Sequence, residues 1–403
     1  MAKPELLSPA GDHERLTAAL RCGADAVYLA STQFGMRAAP KNFAPDTLAA
    51  AVNEAHAASA KVYLTVNTLP RCDETPLLPD FLRGAGEAGV DALIVADLGV
   101  LTLARRILPD MAIHASTQTG VVNELTANAL GALGVSRIVL ARELSLDEIR
   151  TIRERTDPAI GLECFIHGAM CMSVSGRCTI SNFLADRDAN RGACAQPCRW
   201  NYRLVEEKRP GVYLPVLEDE ESTTILSARD LCMIDHLKEL RDAGVTSFKI
   251  EGRAKTAYYV AVVTNAYRAA IDALERGEET PDWARRELET VSHREYSTGF
   301  YFGREGAKQT YVPDNYLQAW ELAADADRAE NGRLYVTERN RFSAGDALEI
   351  LEPQRPPRRI TVTDLRDGEG NPIACANHPL MKASMAFEGE IAPGAFLRRK
   401  KEP

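Results

Sequence analysis

Six cysteines lie close together in this 403-residue chain, at positions 164, 171, 178, 194, 198 and 232. A zinc site fits the spacing of Cys194 and Cys198, but six residues separate Cys171 from Cys178, where structural zinc sites usually have about two to four. An iron–sulfur cluster accepts four thiolates from loops of irregular length. On spacing alone the cluster ligands would be Cys171, Cys178, Cys232 and either Cys194 or Cys198, whereas Cys164 lies inside an apolar strand pattern and is assigned to packing or cavity lining.

The remaining composition indicates a soluble enzyme, with 45% hydrophobic and 26% charged residues and a net charge of −9. No apolar run reaches the roughly 18 to 20 residues that a membrane span needs. The N-terminal "MAKPELLSPAGDHE" lacks the features of a secretory signal, so a cytoplasmic location and reduced thiols are expected. Metal binding, catalysis or simple burial therefore explains the cysteines better than a disulfide framework does.

A β-strand followed by a helix recurs every 25 to 35 residues or so, which is typical of a (β/α)8 TIM-like barrel. The eight predicted strands are 5–10, 26–31, 61–68, 92–97, 112–117, 137–143, 160–168 and 247–252. The cysteines fall in an insertion of about 164–232 after the seventh strand. Between strands lie amphipathic segments, among them one in which Ser145 and Glu148 predict a helix capping box.

Three domains are predicted. Residues 1–285 form the barrel with its Cys-rich insertion, residues 286–329 form a connecting strap, and residues 330–403, whose pattern is alternating strands and turns, form a small C-terminal β-barrel module. From residue 331 onward 12 Lys or Arg stand against 10 Asp or Glu, a net charge of +2 that leaves −11 on the rest of the chain. The terminal "RRKK" (398–401) is interpreted as a solvated basic tail, with phosphate binding as the alternative.

Active sites of such barrels lie at the carboxyl ends of the strands. Polar residues lie at or just after the ends of seven of the eight predicted strands, and together they predict a lined cavity: Ser8, Asn67, Asp97, Ser116, Gln118, Arg142, Glu143, His167, Glu251 and Arg253. Each taken alone is as well explained by a capped or solvated loop.

The cysteine segment also resembles a known family, the collagenase-like peptidase U32 proteins. The resemblance rests on "ECFIHGAMCMSVSGRCTIS" (163–181) and continues through "NRGACAQPCRW" (190–200), "SARDLC" (227–232) and "SFKIEGR" (247–253). The N-terminal "ELLSPAG" and "GADAVYLA" are similar as well, so that it covers essentially the whole chain. Closest in layout are the prephenate-dependent tRNA uridine hydroxylation proteins, which make 5-hydroxyuridine at the wobble position without dioxygen.

This resemblance implies a tRNA-modifying hydroxylase with a 4Fe–4S cluster and prephenate as co-substrate and hydroxyl source. Matching the motifs implies Cys171, Cys178, Cys194 and Cys232 as the cluster ligands, with Cys198 in reserve. Prephenate is a dicarboxylate, which suits the guanidinium groups of Arg142 and Arg253, expected at adjacent barrel strand ends. Ion pairs of these arginines with Glu143 or Glu251 are the structural alternative. Ser116, Gln118 and Glu251 complete the expected substrate site.

Two further residues of the cysteine segment are predicted to act in catalysis. Glu163 would be a general base or an anchor for backbone amides, and His167 would touch substrate. The predicted partner is tRNA, bound through Arg355, Arg358, Arg359 and the basic terminus, with Tyr301, Phe302 and Tyr311 available to stack on a base. The sequence indicates no membrane partner and leaves the electron donor and any oligomer open.

Alternative substrates are rRNA and a quinone precursor. A peptidase is the alternative activity, although the chain contains neither the G-x-S-x-G nor the H-E-x-x-H motif of common hydrolases.

Overall fold

The structure is a computed structural model. It describes residues 3–36, 41–170, 180–185, 187, 189, 193–197, 204–205, 213–214, 217–218, 223–224, 227–303, 309–310 and 316–401. Of the predicted site residues, Cys171, Cys178, Cys198 and Tyr311 lie outside the described residues. Within the described part of the chain, no helix is long and apolar enough to cross a membrane.

The first seven strands are β1 (Glu5–Pro9), β2 (Ala26–Ala30), β3 (Lys61–Val66), β4 (Ala92–Val95), β5 (Ala112–Ala115), β6 (Arg137–Val139) and β7 (Gly161–Ala169). Six helices alternate with them: α1 (His13–Arg21), α2 (Pro45–Ala57), α3 (Leu78–Glu87), α4 (Leu98–Ile107), α5 (Glu124–Ala132) and α6 (Leu146–Arg155).

The chain between β7 and the last barrel strand contains α7 (Ile180–Ala185), β8 (Leu204–Val205), β9 (Tyr213–Leu214), β10 (Leu217–Glu218), β11 (Thr223–Thr224), β12 (Ser227–Ala228), β13 (Asp230–Cys232) and α8 (Leu237–Asp242). The last barrel strand is β14 (Ser247–Ile250), which pairs in parallel with both β1 and β7 and so closes the barrel. The predicted eight-stranded barrel is confirmed, and so is the position of the insertion. Strand β13 adds antiparallel to β7, with Cys232 opposite His167.

The later elements are α9 (Ala257–Arg276), α10 (Asp282–Leu288), β15 (Tyr296–Ser297), β16 (Gln309–Thr310), β17 (Trp320–Glu330), β18 (Arg333–Glu338), β19 (Phe342–Ser343), β20 (Ala347–Leu351), β21 (Arg358–Thr361), β22 (Arg366–Asp367), β23 (Cys375–Ala376), β24 (Lys382–Ala386) and β25 (Phe396–Lys400). Seven of them form a curled antiparallel sheet in the order β21-β20-β25-β17-β18-β24-β22. Its apolar side chains, including Leu334, Val336, Ile350 and Leu397, form a separate core. The predicted all-β C-terminal module is thus an antiparallel curled sheet.

The chain divides into two compact units. One comprises Met1–Leu16, Ala24–Lys255 and Arg294–Tyr316, and the other comprises Thr17–Gly23, Thr256–His293 and Leu317–Pro403. This division differs from the expected boundaries at 285 and 330, since α9 and α10 belong to the unit of the C-terminal sheet. One reason is that the Asn265 side chain of α9 accepts a hydrogen bond from the Gln354 backbone at 2.6 Å.

Several helices begin at residues that cap them. The predicted capping box is present, with Ser145 and Glu148 each bonding the other's backbone N–H. Asp97 follows β4 and caps α4 by accepting the backbone N–H of Val100 at 3.0 Å.

Replacing Asp97 with alanine is expected to lower the free energy of unfolding by about 0.5–2 kcal/mol, because that N–H loses its acceptor. Urea denaturation measures this change. Asp97→Asn is the matched control, since its side-chain oxygen still accepts the bond, and equal losses for the two variants would contradict the capping role.

Candidate active site

A cavity opens at the carboxyl ends of the barrel strands, where the fold predicts it. Its volume is about 520 Å³ when the solvent in its open mouth is included. The lining residues are Tyr28, Met36, Thr65, Asn67, Ile94, Ser116, Thr117, Gln118, Arg142, Phe165, Lys249, Glu251 and Arg253. All five residues predicted to bind substrate, namely Ser116, Gln118, Arg142, Glu251 and Arg253, are among them.

Arg142 is fixed by three contacts at the cavity wall. It donates to the backbone oxygen of Ala169 at 2.8 Å, pairs with Glu251 at 3.4 Å, and stacks over the ring of Phe165 at 3.9 Å. The ion pair with Glu251 was the structural alternative for this residue, and it is present. Contact with the ring and the carbonyl nevertheless holds the guanidinium in one orientation beside the cavity.

Arg253 is buried and donates to the Thr65 hydroxyl at 2.9 Å. The expectation that Arg142 and Arg253 follow adjacent strands is wrong, because β7 lies between β6 and β14 in the closed sheet. Both side chains still line one cavity, since the strand ends converge around a small barrel.

Ser116 caps a short 3-10 helix (Thr117–Thr119) that leads out of β5. Its hydroxyl accepts the backbone N–H of Gln118 at 3.3 Å and the side-chain amide of Asn67 at 3.4 Å. Asn67 in turn accepts the backbone N–H of Met36 at 3.0 Å. These bonds orient the loops after β2, β3 and β5. Ser116 and Asn67 therefore position Gln118 in the cavity wall.

Glu163 lies inside the barrel and is not among the residues that line the cavity. Its carboxylate is completely buried and accepts from Lys249 at 2.8 Å, from the Ser247 hydroxyl at 3.1 Å and from Arg137 at 3.2 Å. Burial alone would raise the pKa of Glu163, but Lys249 and Arg137 lower it to about 2. A carboxylate so strongly stabilised in its charged form is a poor proton acceptor near pH 7, so its contacts favour a positioning role over that of a general base.

A second carboxylate, Glu5, extends this buried network. It accepts from the Tyr63 hydroxyl at 2.7 Å and from Ser247 at 3.2 Å, and it pairs with Arg137. His114 lies against the Tyr63 ring with centroids 4.7 Å apart, and burial and nearby Arg137 lower its pKa to about 3, so the imidazole is neutral. The interior of this barrel is therefore apolar on one side and charged on the other.

Sequence analysis missed Lys249, Glu5 and Arg137 as parts of the site. A signal was available in "SFKIEG", because alternate residues of a strand share one face, which places Ser247, Lys249 and Glu251 on the barrel interior. The predicted cavity rests on polar residues at strand ends, whereas Lys249, Glu5 and Arg137 face inward from within strands.

His167 and Gly168 lie near the end of β7, where strand β13 of the insertion pairs with it. His167 is buried, with its ring centroid 5.3 Å from that of Tyr296, and it is not among the cavity-lining residues. Gly168 has a φ of +108°, and a Cβ there would come within 2.5 Å of the Glu251 backbone oxygen. This close approach joins β7 to the loop that carries Glu251, so the strand end near Cys232 is tightly fixed.

Two of the predicted cluster ligands, Cys194 and Cys232, are described; both are partly exposed, and neither forms a disulfide with another described cysteine. The Cys194 sulfur accepts the backbone N–H of Gln196 at 3.3 Å. Such N–H···S bonds stabilise the thiolates that bind iron–sulfur clusters, so Cys194 fits that use. Cys164 does not, because it is buried and burial raises its pKa to about 12, which keeps it a thiol.

The arginines expected to bind RNA are mostly engaged with acids. Arg358 pairs with Glu352 at 2.9 Å and Arg359 with Glu349 at 3.4 Å, although the side chain of Arg359 is 87% exposed. The basic terminus is not a solvated tail, since Arg398 is buried in strand β25. Among the strap aromatics, Tyr301 is buried and donates to the Phe165 backbone oxygen at 2.6 Å, whereas Phe302 is half exposed.

Comparison with known proteins agrees with these features over both units. The model of peptidase family U32 matches residues 11–311, and that of the peptidase family U32 C-terminal domain matches residues 320–398. The chain belongs to peptidase family U32. The predicted resemblance is confirmed.

Several curated U32 relatives are named for RNA hydroxylation. The tRNA hydroxylation protein P1 of Bacillus subtilis is 34% identical, over 99% of this chain and 95% of that protein. The tRNA hydroxylation protein P of Escherichia coli is 35% identical, over 88% of this chain and 87% of that protein. The 23S rRNA 5-hydroxycytidine C2501 synthase of Escherichia coli is 42% identical, over 68% of this chain and 40% of that protein.

Proposed function

We propose that this protein hydroxylates the wobble uridine of tRNA to 5-hydroxyuridine without dioxygen, using prephenate as the hydroxyl source and a 4Fe–4S cluster. The observation that carries this proposal is the match, over 99% of this chain and 95% of the relative, to a protein named for tRNA hydroxylation. Because the match spans the barrel and the C-terminal sheet, it supports a common activity more strongly than a shared barrel alone would.

Ribosomal RNA is the second candidate substrate, because a relative with 42% identity is named for making 5-hydroxycytidine in 23S rRNA. That match leaves 60% of the relative's length outside the alignment, since it covers only 40% of it. The tRNA relatives match nearly end to end, and tRNA is therefore preferred.

The cavity chemistry suits a dicarboxylate co-substrate. In the proposal Arg142 and Arg253 bind carboxylates of prephenate, for which planar guanidinium groups are well shaped. Gln118 can donate to or accept from a polar group of the ligand, and Phe165 and Tyr28 offer apolar faces to its ring. Glu251 keeps Arg142 in place through their ion pair.

The proposed cluster ligands are Cys171, Cys178, Cys194 and Cys232. Converting a C–H bond to C–OH with a hydroxyl from prephenate is a two-electron oxidation, so the reaction also needs an external electron acceptor. A 4Fe–4S cluster would supply one-electron transfer toward that acceptor. Two contacts hold the strand that carries Cys232 in place. Strand β13 pairs with the end of β7, and Asp230 of β13 accepts two hydrogen bonds from the Arg294 guanidinium. His167, opposite Cys232, stays a proposed substrate contact.

Deleting the gene from its host is expected to remove 5-hydroxyuridine and its derivatives from tRNA. Mass spectrometry of tRNA nucleosides from cells grown without oxygen measures this loss. Restoring the wild-type gene should restore the modification, whereas Arg253→Ala should restore little of it, because a cation proposed to bind the co-substrate is missing.

An unchanged tRNA profile would contradict the proposal. Loss of 5-hydroxycytidine from 23S rRNA in the same strain would then identify rRNA as the substrate. Cleavage of gelatin by the purified protein, with no change in either RNA, would point to a peptidase.

A further inference from the structure

Lys249 is a buried cation at the cavity. Only 4% of the residue is exposed, yet it is one of the lining residues. Its ammonium donates to Glu163 at 2.8 Å, and it lies 4.5 Å from the centre of the Tyr28 ring and 5.5 Å from that of Phe165. An ammonium has three N–H donors, and Glu163 is the one hydrogen-bond acceptor that the described residues provide.

The charges around Lys249 leave an excess of cations. Facing the cavity are the cations Arg142, Arg253 and Lys249 and one carboxylate, Glu251. Behind them Glu163 and Glu5 are matched by one further cation, Arg137. Four cations therefore stand against three carboxylates, so the barrel carries a net positive charge where dielectric screening is weak. An anionic ligand would neutralise it.

We propose that Lys249 is a third substrate-binding residue, which donates to one carboxylate of the small dicarboxylate that Arg142 and Arg253 also hold. Glu163 fixes the ammonium from behind, and the Tyr28 and Phe165 rings confine it at the sides. Arg142 also stacks on the Phe165 ring, so Lys249 and Arg142 share one aromatic wall. This inference rests on the proposed function and names one more contact of its co-substrate.

Calorimetric binding of prephenate to the anaerobically purified protein tests the proposal. Lys249→Gln is expected to weaken binding about 10- to 100-fold, the usual value of one hydrogen bond to a charged group. Lys61→Gln is the matched control, because Lys61 is exposed at the start of β3 and does not line the cavity. Circular dichroism checks that each variant is folded.

Lys249→Gln removes one of the two cations that balance the buried Glu163 carboxylate. A buried charge that has lost a partner can unfold a protein. The double variant Lys249→Gln with Glu163→Gln removes both charges and supplies a second test in a neutral background. It should lose prephenate affinity to the same extent as the single variant.

Two fragments of prephenate distinguish direct contact from a general change in the cavity. Phenylpyruvate lacks the ring carboxylate, and cyclohexa-2,5-diene-1-carboxylate lacks the pyruvyl group. If Lys249 binds one carboxylate, its substitution should weaken the binding of prephenate. It should also weaken the binding of the one fragment that retains that carboxylate, and leave the binding of the other fragment unchanged. Unchanged affinity for all three, or equal weakening of both fragments, would overturn the inference.

Succinate separates this inference from the proposed function. Wild-type protein that binds succinate through Lys249 but does not bind prephenate would support the anion site and contradict the co-substrate. Binding of none of these anions by wild-type protein would overturn the site itself.

Discussion

Replacing Arg398 with methionine is expected to lower the free energy of unfolding of the C-terminal unit by about 3–5 kcal/mol. Arg398 is only 1% exposed. It donates to Glu287 and to the Thr290 hydroxyl, both at 2.8 Å, and pairs with Glu349 at 2.9 Å. Without the guanidinium, Glu287 remains as a buried carboxylate with no compensating charge, which is the main source of the cost.

Urea denaturation followed by circular dichroism measures this loss. Arg399→Met is the matched control, because the neighbouring Arg399 forms its ion pairs with Glu321 and Asp346 nearer the surface. Partly exposed pairs of this kind contribute about 0–1 kcal/mol. The double variant Arg398→Met with Glu287→Gln should recover part of the loss, since it removes the stranded charge. Equal, small effects of Arg398→Met and Arg399→Met would show that burial does not matter here.

Arg398 also shows where reading the sequence fails. Four basic residues near a terminus usually form a solvated tail, because long cationic side chains seldom enter a core without partners. Here the partners are Glu287 and Glu349, which lie 111 and 49 residues away along the chain. Nothing in the local pattern of "RRKK" indicates those partners. Only the fold of the C-terminal unit brings them together.

The barrel strands were predictable because local pattern and global fold agree. A run of apolar, β-branched residues followed by a polar turn marks each strand of a parallel sheet that is buried on both faces. The errors lie at the carboxyl ends, as at the sixth strand, predicted to reach residue 143 but ending at Val139. The following residues, 140–143, form an apolar and then polar loop that brings Arg142 to the cavity. An apolar run does not by itself mark where the hydrogen bonding of the sheet stops.

The cavity-lining residues were also predictable, because the barrel fold fixes which ends of the strands come together. Closure of the barrel brings residues after separate strands to one end, so Arg142 lines the same cavity as Glu251 and Arg253 although 109 residues separate it from Glu251. The Lys249–Glu163 pair was missed because Glu163 looked like part of the cysteine motif. Its partner lies on the next strand of the barrel, and cross-strand register is not visible in either segment alone.

Replacing Cys232 or Cys194 with serine is expected to remove most of the iron from the protein. Anaerobically purified wild-type protein should contain about four iron and four sulfide per chain, and each variant should contain less than about one of each, because a 4Fe–4S cluster is held by four thiolates. Hydroxylation of tRNA should fall with the cluster. Colorimetric iron and sulfide analysis, together with electron paramagnetic resonance of the reduced protein, measures the loss independently of activity.

Cys375→Ser is the matched control, because Cys375 is also partly exposed but lies in strand β23 of the C-terminal unit, where Arg341 donates to its sulfur at 3.2 Å. It should keep a full complement of iron. Cys198→Ser resolves the choice left open by spacing, since it should keep the cluster if Cys194 is the third ligand. If Cys198→Ser loses iron while Cys194→Ser keeps it, the assignment is reversed. Wild-type protein that contains no iron after cluster reconstitution would contradict the proposal that this protein binds a 4Fe–4S cluster.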